Sequence, residues 1–202
     1  MRIGRALLSL GLATCCLGGL ALTARSEEAA PSVLQYRLLA TSKTSTMEKE
    51  LNEAADAGFR FEGVMGGETS FGGKEVVTIV SRAVGADSRA RYQYKLLATN
   101  KTGTMQKEMS QASEAGFVYR GQTVTDSMFG GREVIIIMER DRDTTGAVVE
   151  YKLLATNKTG TMQKELSEVA EAGYRYRGVT VAGTSLGGRE VVVLTERLLD
   201  VR

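Results

Sequence analysis

The chain has 202 residues, with 26 basic and 24 acidic side chains and a formal net charge of +2 at pH 7. This balance leaves no basic face for nucleic acid and no like-charge tail. Histidine and tryptophan are absent, which removes the commonest general base, the commonest transition-metal ligand and the strongest cation–π platform. The composition therefore predicts neither a nucleic-acid partner nor a cofactor.

The N-terminus has the order of parts of a secretory signal peptide. Two arginines precede an apolar run over 6–22, and a charged segment follows. We expect a signal peptide of residues 1–26 to be cleaved, which makes the mature chain secreted or periplasmic, with no stable membrane span. Both cysteines would leave with the signal peptide. Two alternatives stay open: a lipid anchor through Cys15, and an uncleaved membrane anchor at the N-terminus.

Three segments of the chain repeat one another without a gap. The stretch YKLLATNKTGTMQKE occurs unchanged at Tyr94 and at Tyr151, and a looser copy begins at Tyr36. We call the three repeats modules 1, 2 and 3. Module 1 covers 36–82, module 2 covers 94–140 and module 3 covers 151–197, with a leader over 27–35, linkers over 83–93 and 141–150, and a tail over 198–202.

Each module begins with a strand that leads into a helix. In module 2, YKLLAT from Tyr94 alternates with the period of two that is typical of a strand, and a polar loop follows. Met105 and Met109 then begin a series of apolar residues at helical spacing. This pattern predicts an amphipathic helix of about three turns.

Both ends of each predicted helix carry capping signals. Thr102 or Thr104 can cap the N-terminus of the module 2 helix. Gly116 follows the last apolar position and suits a left-handed C-terminal cap. The equivalent residues are Thr44, Thr46 and Gly58 in module 1 and Thr159, Thr161 and Gly173 in module 3.

A β-hairpin completes each module. Its turn contains a Gly-Gly pair, such as Gly130 and Gly131, and its second arm in module 2 is EVIIIMER from Glu133. This arm is apolar on both faces, which is typical of a central strand. A right-handed crossover through the helix makes the first two strands parallel. We therefore predict the strand order 1-3-2, with the third strand antiparallel to both.

The predicted fold class is α+β, built from three tandem β-α-β-β modules. Each is a mixed three-stranded sheet with one helix on one face. A unit of this size is near the limit of independent stability, so the second face is expected to pack against another module. We predict a compact unit with pseudo-threefold symmetry; separate modules on extended linkers are the alternative.

The helix ends carry a resemblance to a known family. Each helix closes in Ala-Gly-aromatic, after a tyrosine-led strand and before a hairpin whose last strand ends in a basic residue. This order resembles the small bacterial family called domain of unknown function 4177. Its members usually have tryptophan after the glycine, where this chain has phenylalanine or tyrosine. The resemblance covers all three modules and implies no activity.

The loop before each helix is the candidate binding site. A lysine, threonine hydroxyls and free N–H groups gather at a helix N-terminus, where the helix dipole favours an anion. An ordinary capped loop would explain the same residues. The candidate residues are Lys43, Thr44, Asn100, Lys101, Thr102, Asn157, Lys158 and Thr159.

Three classes of function are compatible with this sequence. The leading hypothesis is a non-enzymatic binding or scaffold protein, because repeated modules present the same surface several times. Its partner would be a cell-envelope protein or a small ligand. An enzyme would need a cleft in which carboxylates such as Glu133 or Glu190 converge. A carrier would hold a small apolar or aromatic ligand between modules, near Ile135, Met138, Val192 and Tyr176.

Overall fold

The structure is a computed structural model that describes residues 33–69, 73–85, 89–126, 132–144, 146, 148–183 and 189–199. The predicted signal peptide, most of the leader and the turns of the three hairpins lie outside these ranges. The segment Ser32–Arg202 forms one compact unit.

The described ranges contain the strands and helices expected for three modules. None of the three helices in this part of the chain is long and apolar enough to cross a membrane. The elements are β1 (Leu34–Thr41), α1 (Thr44–Asp56), β2 (Arg60–Thr69), β3 (Gly73–Ala83), β4 (Tyr92–Thr99), α2 (Thr102–Glu114), β5 (Val118–Asp126), β6 (Arg132–Asp141), β7 (Val149–Thr156), α3 (Thr159–Glu171), β8 (Arg175–Gly183) and β9 (Arg189–Leu198).

Each module has the predicted sheet topology. The first and second strands both pair antiparallel to the third, in the orders β1-β3-β2, β4-β6-β5 and β7-β9-β8. The 1-3-2 order is therefore confirmed. The third strand is central because both of its faces are apolar: residues 134–138 of β6 are all buried.

Apolar residues at helical spacing seat each helix on its own sheet. In α2, Met105 and Met109 are buried, as predicted. The helix closes at Gly116, whose φ of 83° is the expected left-handed conformation. The N–H of Phe117 then donates to the carbonyl of Ala112 at 3.0 Å, as in a Schellman motif.

The predicted threonine caps are wrong. No side-chain hydrogen bond caps any of the three described helices. A capping side chain acts from the position before the first helical residue, and a lysine occupies that position. The N–H of Lys101, for example, donates to Oγ1 of Thr99 at 3.2 Å. The lysines are Lys43, Lys101 and Lys158, and the first helical residues are Thr44, Thr102 and Thr159.

The modules pack in sequence, each on the next. One face of the module 2 sheet, with Ile135 and Ile137, packs on module 1. The opposite face, with Ile136 and Met138, packs on module 3. The substantial contacts among the described residues join modules that are neighbours in the sequence. The compact unit is therefore a linear stack, in place of the expected pseudo-threefold arrangement, because the middle sheet takes a different neighbour on each face.

Replacing Gly116 by alanine tests the left-handed cap. A residue with a Cβ pays about 1–2 kcal/mol in this conformation, and the added Cβ would lie 3.4 Å from Cδ of Arg140. We expect Gly116→Ala to lower the free energy of unfolding in urea by about that amount. The control is Gly103→Ala, because Gly103 lies in α2 and an added Cβ there meets no atom within 4 Å. Equal losses from both substitutions would contradict the cap.

Candidate functional site

The structure places the predicted binding residues at the starts of the three helices. Lys43, Lys101 and Lys158 are exposed, and each helix begins at the threonine that follows. Asn100 and Asn157 lie exposed in the bends before α2 and α3. Each set stays with its own helix, so the structure offers three separate copies of one loop.

The module 2 loop lies against module 3. Asn100, Lys101 and Thr102 border a recess whose opposite wall includes Leu153 and Val192. The recess measures about 10 Å³, which is room for one water molecule at most. This loop therefore meets the next sheet without leaving space for a small-molecule ligand.

The residues expected around a ligand cavity lie in three different places. Ile135 is buried in the core between modules 1 and 2. Met138 and Val192 are buried together in the core between modules 2 and 3. Tyr176 is 59% exposed on the outer side of module 3. These four side chains do not line one cavity, and the three that are buried pack against other side chains.

A larger groove, of about 450 Å³, lies between the end of α2 and the segment after β6. Its guanidinium groups are already engaged. Arg140 donates to the carbonyl of Ala115 at 3.3 Å and to the side chain of Gln93. Arg142 pairs with Asp56 at 3.4 Å. The groove consequently presents satisfied polar groups to a ligand.

The acids considered for catalysis do not converge. Glu133 and Glu190 stand near the starts of β6 and β9, partly exposed and one to a module. Among the described residues, no group of three or more potential metal ligands could hold a metal ion. The most deeply buried acid of the described residues is Glu139, near the other end of β6, with 1% of its surface exposed.

Glu139 accepts hydrogen bonds from two modules at once. Nη2 of Arg60, from module 1, lies 2.9 Å from Oε1, and Nε of Arg120 lies at the same distance. The hydroxyl of Tyr94 donates to Oε2 at 2.8 Å. A buried carboxylate is tolerated when it is paired and its oxygens are hydrogen-bonded. This carboxylate therefore stabilises the interface between modules 1 and 2. In the sequence, it could have been recognised as a charged residue directly after the apolar part of a central strand.

A buried tyrosine hydroxyl bridges each pair of neighbouring modules. The Tyr94 hydroxyl accepts a hydrogen bond from the N–H of Phe61 at 2.8 Å. The Tyr151 hydroxyl accepts one from the N–H of Tyr119 at 2.9 Å. Burial raises the pKa of Tyr94 well above its usual value and the pKa of Tyr151 to about 12. Both phenols therefore stay neutral at physiological pH, as an apolar interface requires.

The helix of each module also covers the free edge of the next module's first strand. Oδ1 of Asn52 accepts from the N–H of Tyr94, and Nδ2 of Asn52 donates to the Tyr94 carbonyl, each at 3.0 Å. Oε2 of Glu48 accepts from the N–H of Leu96 at 2.8 Å, and Gln106 makes the equivalent bond to module 3 at 3.1 Å. Sequence reasoning missed this second buried side of the helix because its residues are polar, as satisfying a strand edge demands.

An aromatic side chain of each module packs against a glycine of the next. A Cβ on Gly121 would lie 2.9 Å from Cζ of Phe61, and one on Gly178 would lie 2.7 Å from the hydroxyl of Tyr119. Only glycine permits so close an approach. The equivalent glycine of module 1 is Gly63, where an added Cβ would meet no atom of the described ranges within 4 Å.

The outer face of the module 1 sheet, which we call the head face, is exposed. Tyr36 and Leu38 are 62% and 63% exposed, whereas their equivalents in module 2, Tyr94 and Leu96, are 2% and 9% exposed. Within the described ranges, no further element packs on this face. The head face comprises Tyr36, Leu38, Gly63, Met65 and Ile79.

The outer face of module 3, which we call the tail face, is exposed as well. Tyr176 and Val191 are 59% and 37% exposed, whereas their equivalents in module 1, Phe61 and Val76, are 8% and 2% exposed. The loss of cover extends to α3, where Ala170 is exposed although its equivalents in α1 and α2 are buried. The tail face comprises Gln163, Ser167, Ala170, Tyr176, Val179, Val181 and Val191.

Removing the Tyr94 hydroxyl tests the bridge between modules. Tyr94→Phe leaves the N–H of Phe61 without its partner and removes one donor to Glu139. We expect it to lower the free energy of unfolding by about 1–3 kcal/mol. Tyr36→Phe is the matched control, and in dilute solution it should change the same quantity by less than about 0.5 kcal/mol. Urea unfolding compares the two, and a Tyr94→Phe protein as stable as the control would remove the case for the bridge.

Comparison with known proteins adds no family to this geometry. The chain matches none of the protein-family models, curated proteins or solved structures with which it was compared. The resemblance to domain of unknown function 4177 therefore stays a prediction. The features that bear on function are the module interfaces, the head face and the tail face.

Proposed function

We propose that this chain is a non-enzymatic scaffold protein that acts outside the cytoplasm and works by binding protein through the ends of its module stack. One observation carries the proposal: the head face exposes Tyr36 and Ile79, and the tail face exposes Val191, although the equivalents of all three are buried at both internal interfaces. Exposed contiguous apolar faces of this kind mark protein-binding surfaces.

The packing between modules favours a scaffold over a carrier. A carrier needs a pocket of some hundreds of cubic ångströms that is largely apolar. The described apolar recess between modules measures about 10 Å³, and the larger groove is lined by engaged charged groups. The surface available for binding is therefore the outside of the stack.

The placement of acids favours a scaffold over an enzyme. General acid and base catalysis needs groups that converge on one substrate. Glu133 and Glu190 are on different modules, and Glu139 has both oxygens occupied by donors. These carboxylates support a structural role.

The proposed location rests on the sequence of residues 1–26. Its order of positive, apolar and polar segments supports export to the periplasm or beyond. A lipid anchor through Cys15 is the second candidate. Either location would place the protein among cell-envelope proteins, its proposed partners. The three exposed lysine loops offer such a partner one charged contact per module.

Native mass spectrometry of residues 27–202 with a cell-envelope extract tests the proposal. We expect retention of a protein, either a second copy or another chain, and loss of that species in Leu38→Lys or Tyr176→Asp, which place charge on the head face or the tail face. Lys49→Ala is the control, because Lys49 is exposed on α1 away from both faces. Retention of a small molecule alone, unaffected by these substitutions, would overturn the scaffold in favour of a carrier.

A further inference from the structure

We propose that the occupant of the head face is the tail face of a second copy of this chain, so that copies associate head to tail. The inference rests on the proposed scaffold function and names its partner. At both internal interfaces, the surface of one module that is equivalent to the tail face packs on the surface of the next module that is equivalent to the head face. Module 1 packs on module 2 in this way, and module 2 packs on module 3. A third interface of the same kind, between copies, would continue the stack.

The two faces have complementary shapes. At both internal interfaces an aromatic side chain fills the space over a glycine: Phe61 over Gly121, and Tyr119 over Gly178. The tail face presents the next aromatic residue in this series, Tyr176, 59% exposed. The head face presents the first glycine, Gly63, where no atom of the described residues lies within 4 Å of an added Cβ. The tail therefore has an unused ring and the head an unused site for one.

The helix of the tail face, α3, has the same side-chain arrangement as α2 at the internal interface. Ser167 Oγ donates to the carbonyl of Gln163 at 3.0 Å, as Ser110 Oγ donates to the carbonyl of Gln106 at 3.0 Å. Gln106 uses its side-chain oxygen to accept a strand-edge N–H of module 3. Gln163 holds the equivalent position in α3 and is exposed. In a head-to-tail pair its side-chain oxygen would accept the N–H of Leu38, at the edge of β1 in the second copy.

Charge on the two faces is also complementary. At the first interface, Arg60 of module 1 reaches the buried carboxylate of Glu139. In module 3 the residue equivalent to Arg60 is Arg175, which is exposed and next in sequence to Tyr176 of the tail face. In module 1 the residue equivalent to Glu139 is Ser81. Its hydroxyl donates to the carboxylate of Glu62, so a carboxylate lies next to this position in module 1 as well. Arg175 of one copy would therefore meet Glu62 of the next.

The direction of association follows from the two surfaces. The tail face combines a helix side with a sheet, whereas on the head face no described element covers the sheet or pairs with the outer edge of β1. Unlike surfaces join heterologously, so every added copy leaves one head and one tail free unless a ring closes. Head-to-head and tail-to-tail pairs would leave the ring, the glycine and the strand edge unmatched.

Sedimentation velocity on purified residues 27–202 tests the inference. We expect the unchanged protein to form species larger than the monomer as its concentration rises. Gly63→Leu fills the site on the head, and Tyr176→Asp removes the ring of the tail; each variant alone should be monomeric. A mixture of the two variants has one intact head and one intact tail, and it should form dimers and nothing larger.

A charge exchange gives a second, independent measurement. Glu62→Arg and Arg175→Glu should each weaken association about tenfold, and the double variant should recover it, because the two residues meet only between copies. Glu62 and Arg175 are both exposed, which makes these changes compatible with the fold. Circular dichroism melts serve as the check on folding.

Several outcomes would overturn the inference. One is self-association of the Tyr176→Asp or the Gly63→Leu protein alone. Another is a mixture of these two variants that stays monomeric. A third is an unchanged protein that is monomeric at every soluble concentration. Association seen only in a chain shortened to begin at Val33 would overturn the inference as well. A monomer that still captures a different envelope protein would end the inference while leaving the proposed scaffold function intact.

Discussion

The hydroxyl of a first-strand tyrosine joins each module to the one before it. In both internal interfaces it accepts the N–H of the preceding module's aromatic residue, Phe61 or Tyr119. At the same interfaces the aromatic ring lies against a glycine and the helix reaches the strand edge. A module of this size has little core of its own, so these interfaces supply much of the burial that the fold needs. The ends of the stack follow from the same constraint, because the first tyrosine, Tyr36, has no described module before it.

Much of the fold could be predicted from local signals. The change from a period of two to helical spacing marks strand and helix, and Gly116 marks the helix end through its positive φ. The 1-3-2 order followed from chirality and from a strand with two apolar faces. The sequential stacking could not be predicted in this way. Because the modules are nearly identical, the hydrophobic pattern is equally compatible with any pairing of modules. The pattern predicts that both faces of a sheet are covered, but it does not identify the module that covers each face.

The contacts between modules were harder to predict because polar residues make many of them. Asn52 and Glu48 satisfy a strand edge and look, in sequence, like the solvated side of a helix. The threonine caps failed because a lysine takes the capping position, although the lysine loops do lie exposed, as a binding role requires. Glu139 was missed because burial of an acid depends on partners that come from two modules. Such features depend on the distances between residues of different modules, and the spacing of residues along one module does not reveal those distances.

The most direct test of the account is the stability of Gly121→Val beside Gly63→Val. The two glycines hold equivalent positions and differ in the surroundings of the added Cβ. The Phe61 ring lies 2.9 Å from it at Gly121, whereas at Gly63 no atom in the described part of the chain lies within 4 Å. In urea unfolding of dilute protein, we expect Gly121→Val to lose about 1–3 kcal/mol through overpacking. Gly63→Val should change the free energy of unfolding by less than about 0.5 kcal/mol. Equal losses at the two positions would contradict a stack held by ring-to-glycine contacts between modules.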